Sequence, residues 1–239
     1  RSSGQRGAPV RKLNMTGVDV MRRNGYRPPV GDVSFDIYST SVSVNGPSRL
    51  CDVVIHEYGI YSVLDNKRGR IFTYDANGNM LYSFGTIGDY EGASRNPVAI
   101  ESFDNCFYLL DSRYGSITKY EMTEYTKLIH NLIKSNYDGE YEKVIILSNE
   151  IIRLNSNSDF AYNSISKAYY SKENYTQAYK FAVLSQDRLL ASKAFKFIRK
   201  EQMSKFIAPI IILLFVLIFT LLSINIYKGL MKQKKIYSE

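Results

Sequence analysis

Apolar positions along the chain change their spacing twice. Between residues 50 and 121 they come in short alternating runs, among them Asp52-Val53-Val54-Ile55 and Ile71-Phe72-Thr73-Tyr74, which is the period of half-buried strands. Turn residues bound these runs: Tyr58-Gly59, Asn66 to Gly69, Asn77-Gly78 and Asp104-Asn105. From residue 125 to 202 the spacing becomes helical, and the pattern predicts two helix–turn–helix units. Residues 206–227, FIAPIIILLFVLIFTLLSINIY, then run 22 positions without a charge. A helix of that length spans about 33 Å, against about 30 Å of bilayer hydrocarbon, so a transmembrane segment is predicted. Pro209 falls in its first turn, where a missing N–H does little harm, and Tyr227 sits where an interfacial anchor belongs.

Both folded stretches repeat internally. YSVLDNKRGRIFTYD, starting at Tyr61, superimposes on FYLLDSRYGSITKYE, starting at Phe107, at an offset of 46 residues. Asp65, Gly69, Ile71 and Tyr74 meet Asp111, Gly115, Ile117 and Tyr120, and Asp52 to Ile55 meets Val98 to Glu101 in the same frame. A period of 40–50 residues built from short strands is that of propeller blades, none of which can bury its own face alone. VRKLNMTG, from Val10, matches IFTYDANG, from Ile71, and predicts the end of a preceding blade, with an insertion over residues 21–47. That amounts to about two and a half blades where propellers close with four to eight, so further blades are expected before Arg1. In the helical part, Gly139 to Val144 meets Glu173 to Ala178 at an offset of 34 residues, the tetratricopeptide length. Ile165, Ser166 and Tyr169 fall on the first helix of the second unit, and residues 187–205 are predicted to cap the array and run into the membrane.

The residues from Gly59 to Gly85 resemble an NHL repeat: a strand ending in Asp65, an Arg70-Ile71 strand, an Asp75-x-x-Gly78 turn and a strand closing on Phe84-Gly85. The second unit departs from it at Ser116 and at Glu121 to Glu124. The order of propeller, helical repeats and one membrane helix, with Arg22-Arg23-Asn24-Gly25 and Leu128-Ile129-His130, is similar to a group of bacterial, mostly Gram-positive, surface proteins. This resemblance implies residues 1–121 as part of an NHL-type β-propeller, 122–205 as a tetratricopeptide-like array, 206–227 as the membrane helix and 228–239 as a basic tail. It further implies a cell-membrane protein with its domains outside the cytoplasm and its tail inside, a scaffold linked to carbohydrate uptake, and it supplies no catalytic residues. The alternatives are a propeller hydrolase or lyase with its metal on other blades, and a cytoplasmic membrane-tethered adaptor.

Charge sharpens the partner classes. Lys and Arg number 31 against 23 Asp and Glu, a net charge of +8. Basic residues flank the apolar run on both sides, so the positive-inside rule gives no orientation, and membrane lipid explains the charge better than nucleic acid does. Two cysteines exclude a disulfide-dense scaffold, two histidines leave little room for a His-rich metal centre or a His-based triad, and no cofactor is expected. Cys51 and Cys106 occupy non-equivalent places and are expected as unpaired, buried thiols. Asp65 and Asp111 are expected to cap backbone N–H groups. His56, beside Glu57, is expected as a solvated turn residue, and His130 as a surface or packing residue. Asp75 to Asn79 lacks the spacing of a calcium loop, and Gly85 to Gly88 that of a phosphate loop. For a protein or carbohydrate partner the candidate residues are Tyr90 and Tyr114, which can stack on sugar rings, with Arg68 and Arg113 to bond hydroxyls or carboxylates.

Overall fold

The computed structural model describes residues 9–23, 29–32 and 47–236. Most of the expected insertion at 21–47, Asn24-Gly25 and the last residues of the basic tail lie outside the described residues. The chain is β first and α afterwards. Strands β1 (Leu50–Ile55), β2 (Tyr61–Asp65), β3 (Arg70–Tyr74) and β4 (Met80–Phe84) form one antiparallel sheet in sequence order. Strands β5 (Pro97–Phe103), β6 (Cys106–Asp111) and β7 (Ser116–Glu121) form a second. Helices α1 (Glu124–Asp138), α2 (Tyr141–Leu154), α3 (Asp159–Ser171), α4 (Tyr175–Leu184) and α5 (Arg188–Ile236) follow.

The sequence repeat is a repeat of register. Val63 pairs with Phe72 and Leu64 with Ile71, while Leu109 pairs with Thr118 and Leu110 with Ile117, so every β2–β3 partner reappears 46 positions on. The first strands correct the expected frame. Asp52 pairs with Leu64 and Ala99 with Leu110, an offset of 47, because β1 and β2 are linked through a 3-10 turn (Glu57–Gly59) and β5 and β6 by a tight turn. The sheets stack with β1 beside β5, burying Val54, Leu64 and Ile71 of one against Ile100, Phe107 and Leu109 of the other. The Ile100 N–H donates to Asp52 Oδ2 at 2.8 Å across that contact.

The expected blade end near Val10 is reduced to one antiparallel bridge, Leu13 to Asp19, among the described residues. Its turn nevertheless repeats the β3–β4 turn bond for bond. Asn14 Oδ1 accepts from the Thr16 and Val18 N–H groups, as Asp75 Oδ1 accepts from those of Asn77 and Asn79.

The helices form successive antiparallel pairs, each packed on the next. Their ends are capped by side chains at Thr123, Ser158 and Asn174, while Asp187 takes the Leu190 N–H at the start of α5 and the Asn163 amide of α3. Ile129, Leu132, Val144 and Ile151 make the core of the first pair, and small residues (Ala168, Ala178, Ala182, Ala194) allow the later helices to approach closely. α5 runs 49 residues, about 73 Å, without a break across the expected junction at 205. Phe197 stacks on Tyr175 at 4.5 Å near its start. Beyond that, one stretch is long and apolar enough to cross a membrane and has none of its surface buried against the rest of the chain.

The α1–α2 and α3–α4 turns share one backbone path: Gly139 (φ 74) and Glu173 (φ 60) are both left-handed, and the N–H of the following residue bonds to Ser135 O or Tyr169 O. Only the first carries glycine. Glu173→Gly is therefore expected to stabilise the helical part by about 0.5–1 kcal/mol, read by urea denaturation followed at 222 nm; Gly139→Ala should cost a similar amount.

Candidate functional site

The four residues singled out from the sequence gather at one end of the sheets, on the β2–β3 turn, the β4–β5 loop and the β6–β7 turn, yet the structure does not join them into one site. Arg68 is turned inward, its side chain 9% exposed, 3.4 Å from Asp65 and 3.7 Å from Asp32. Both carboxylates engage its guanidinium. Tyr114 is exposed, and its hydroxyl donates to Asp89, which also pairs with Arg95. Tyr90 is exposed with its ring folded back toward Gly88, and Arg113 is exposed.

The turn carboxylates do what their spacing predicts. Asp65 Oδ1 accepts from the N–H groups of Arg49 and Lys67, each at 2.9 Å. Asp111 accepts from Arg95 and Asn96 on one oxygen and from Arg113 and Tyr114 on the other. Burial pushes the Asp111 carboxyl up, and those four N–H groups overcome it and hold the group below the usual range. Asp65 is wholly buried and differs in also accepting from the Ser48 hydroxyl at 2.6 Å.

The opposite end of the sheets, where α1 abuts them, holds the groups that sequence reasoning missed. The two histidines meet there, with ring centroids 5.8 Å apart. His56 is no solvated turn residue. Its Nε2 lies 2.9 Å from the Ser62 hydroxyl, itself 2.8 Å from that of Thr73, and its Nδ1 lies 3.3 Å from Ser102 Oγ on the second sheet. His130, on α1, has Nε2 2.7 Å from the Tyr82 hydroxyl on β4. The pair therefore ties both sheets and the first helix together. Loss of water on burial lowers both imidazoles, His130 to about 4 with a further push from His56, and drives the Tyr82 phenol up to about 12. At neutral pH both rings are uncharged. No linear signal foretold this, since the two histidines lie in different repeats.

Three clefts surround the junction. A groove of about 600 Å³ runs between β4, β7 and the start of α1, walled by Tyr82, Phe84, Phe107, Tyr120 and Tyr125. A second of about 460 Å³ opens beside His56 and His130, and a third of about 400 Å³ lies between the β3–β4 turn and α1 and α3. None of the three is lined by Arg68, Tyr90, Arg113 or Tyr114. Cys51 is exposed and Cys106 half-buried, both unpaired, which corrects the expectation of buried thiols. Among the described residues no group of three His, Cys, Asp or Glu side chains is placed to hold a metal ion.

Two outcomes follow from this geometry. Asp65→Ala removes a buried acceptor of three hydrogen bonds and an ion-pair partner of Arg68, and should cost about 3 kcal/mol in denaturant unfolding. The fold holds His130 neutral, so its share of stability is complete above the unfolded value of 6.5 and drains away as pH falls toward about 4, where the folded chain also takes the proton. Between pH 7.5 and 4.5 the native chain should lose about 2 kcal/mol more than His130→Gln does in urea unfolding. No protein-family model matches the chain, and no curated protein does.

Proposed function

We propose that the chain is a membrane-anchored scaffold: NHL-type propeller blades and a tetratricopeptide-like array, held on a single transmembrane helix and presenting a surface to a protein or carbohydrate ligand. The observation that carries this reading is α5. A helix buried in a soluble core would not leave such an apolar stretch bare, and one that starts by packing on α4 leads the folded part to the bilayer without a flexible joint.

The outer face of the second sheet supports the propeller reading. Leu64 and Ile71 are fully buried beneath the second sheet, while their counterparts Leu110 and Ile117 are 40% and 67% exposed on its far side. β7, the counterpart of β3, has no strand on its outer edge among the described residues, whereas β3 has β4. Covered apolar faces and paired edges are the condition of a stable blade, so a further sheet of the same kind belongs against this one. The scaffold reading assigns no catalytic residue and places the domains outside the cytoplasm, with the basic residues after Tyr227 inside.

Expressed in cells, the full chain should sediment with membranes and resist extraction by alkaline carbonate, while a variant lacking residues 206–227 should be soluble. Protease added to intact spheroplasts should digest the β and helical parts and spare a tag fused after Glu239. Release by carbonate would remove the anchor from the proposal, and digestion only after lysis would reverse the orientation.

A further inference from the structure

The second and third clefts lie one after the other along α1 and adjoin at Tyr58, which lines both; the two together, here the trough, run from the β5–β6 turn to the α1-facing side of α3. Tyr58 holds a left-handed backbone (φ 56) in the β1–β2 turn and places its ring 5.5 Å from Tyr137 and 5.9 Å from Lys134 Nζ. Two large rings stand bare along the trough: Phe103 is 74% exposed at one end and Tyr137 75% exposed beyond Tyr58. Between and around them the side chains of Asn105, Asn131, Lys134 and Lys167 make no hydrogen bond or ion pair among the described residues. At the turn end of the sheets Arg68 is instead engaged by carboxylates, and Tyr114 and Arg95 by Asp89.

Bare rings beside unengaged amides suit a sugar ring, whose C–H face packs on an aromatic surface while its hydroxyls bond to planar donors and acceptors at the edge. Other occupants fit less well. Glu57 and Asp104 stand on the same walls as Lys134, so a polyanion meets repulsion as well as attraction. An extended peptide gains most from an unpaired strand edge, and the open edges of β4 and β7 line the other groove. We propose that the trough binds a neutral oligosaccharide, lying along α1 with Phe103, Tyr58 and Tyr137 as stacking surfaces and Asn105, Asn131 and Lys134 as hydroxyl partners. This rests on the reading of the chain as a ligand-presenting scaffold, and names its site and ligand class.

The full chain in lipid nanodiscs can be titrated calorimetrically with maltohexaose, cellohexaose and chitohexaose. At least one should bind, with Tyr137→Ala and Asn131→Ala each weakening it by about 3- to 10-fold and Tyr114→Ala leaving it unchanged. Tyr137 and Asn131 are exposed, so unaltered circular-dichroism melts should accompany both variants. Absence of binding by all three hexaoses overturns the proposal. So does binding that falls with Tyr114→Ala and not with Tyr137→Ala, or Tyr137-dependent capture of an unstructured peptide or polyphosphate in place of a saccharide. Carbonate-resistant membrane retention, measured on the same preparations, reports on the scaffold separately.

Discussion

Ile60 leaves the first sheet at the start of β2 and is buried not among strands but among the helices, against Ile129, Leu132 and Ile133. Burying that side chain is worth about 2–3 kcal/mol, several times a surface ion pair, and it acts where the β and α parts meet. Tyr58, Leu81 and Tyr82 pack on the same cluster from the end of the first sheet that α1 abuts. The Tyr82–His130 hydrogen bond then fixes which way α1 faces. Without this contact the sheets and the helical series would each retain a core of their own, and the clefts between them would have no fixed shape.

The same contact explains why the histidines are neutral. A charged imidazole between two sheets and a helix loses its water and finds no carboxylate close enough to compensate; Glu101 raises His56 only against a larger burial effect. Their role is to satisfy hydroxyls that packing has taken from solvent. Ser62 and Thr73 are both wholly buried, and His56 lets that pair reach Ser102 on the neighbouring sheet.

What was legible in the sequence divides along the range of the interactions. A strand pair exposes its register through period-2 patterning and its turn, so Asp65, Gly69 and Ile71 announced their partners and the roles of both aspartates. The two helical pairs showed in the same way, through their 34-residue offset, but not the left-handed residue between their helices. Position 173 carries glutamate where position 139 carries glycine, so composition alone hid that shared turn. The ion pairing of Arg68 was hidden because its second carboxylate, Asp32, belongs to a segment outside the repeat and comes near only once the chain is folded. The one-residue longer offset of the first strands was hidden likewise, since a 3-10 turn and a tight turn differ in length without disturbing the alternation on either side. The junction at Ile60 and the two histidines had no local signature at all, for it joins residues whose periods belong to different elements.

The order of packing bears on where a ligand could be met. α1 contacts α2, α2 contacts α3, α3 contacts α4 and α4 contacts α5, with a smaller contact of α3 on α5. On the proposed anchoring, the trough begins at α1, the far end of that series from the bilayer, and reaches α3. α5 itself carries no glycine between Arg188 and the apolar run, and its Pro209 comes only after the packed contact at Phe197. Any bend that proline introduces falls at the membrane entry and leaves the helical series intact, so the sheets and their trough move relative to the bilayer as one body.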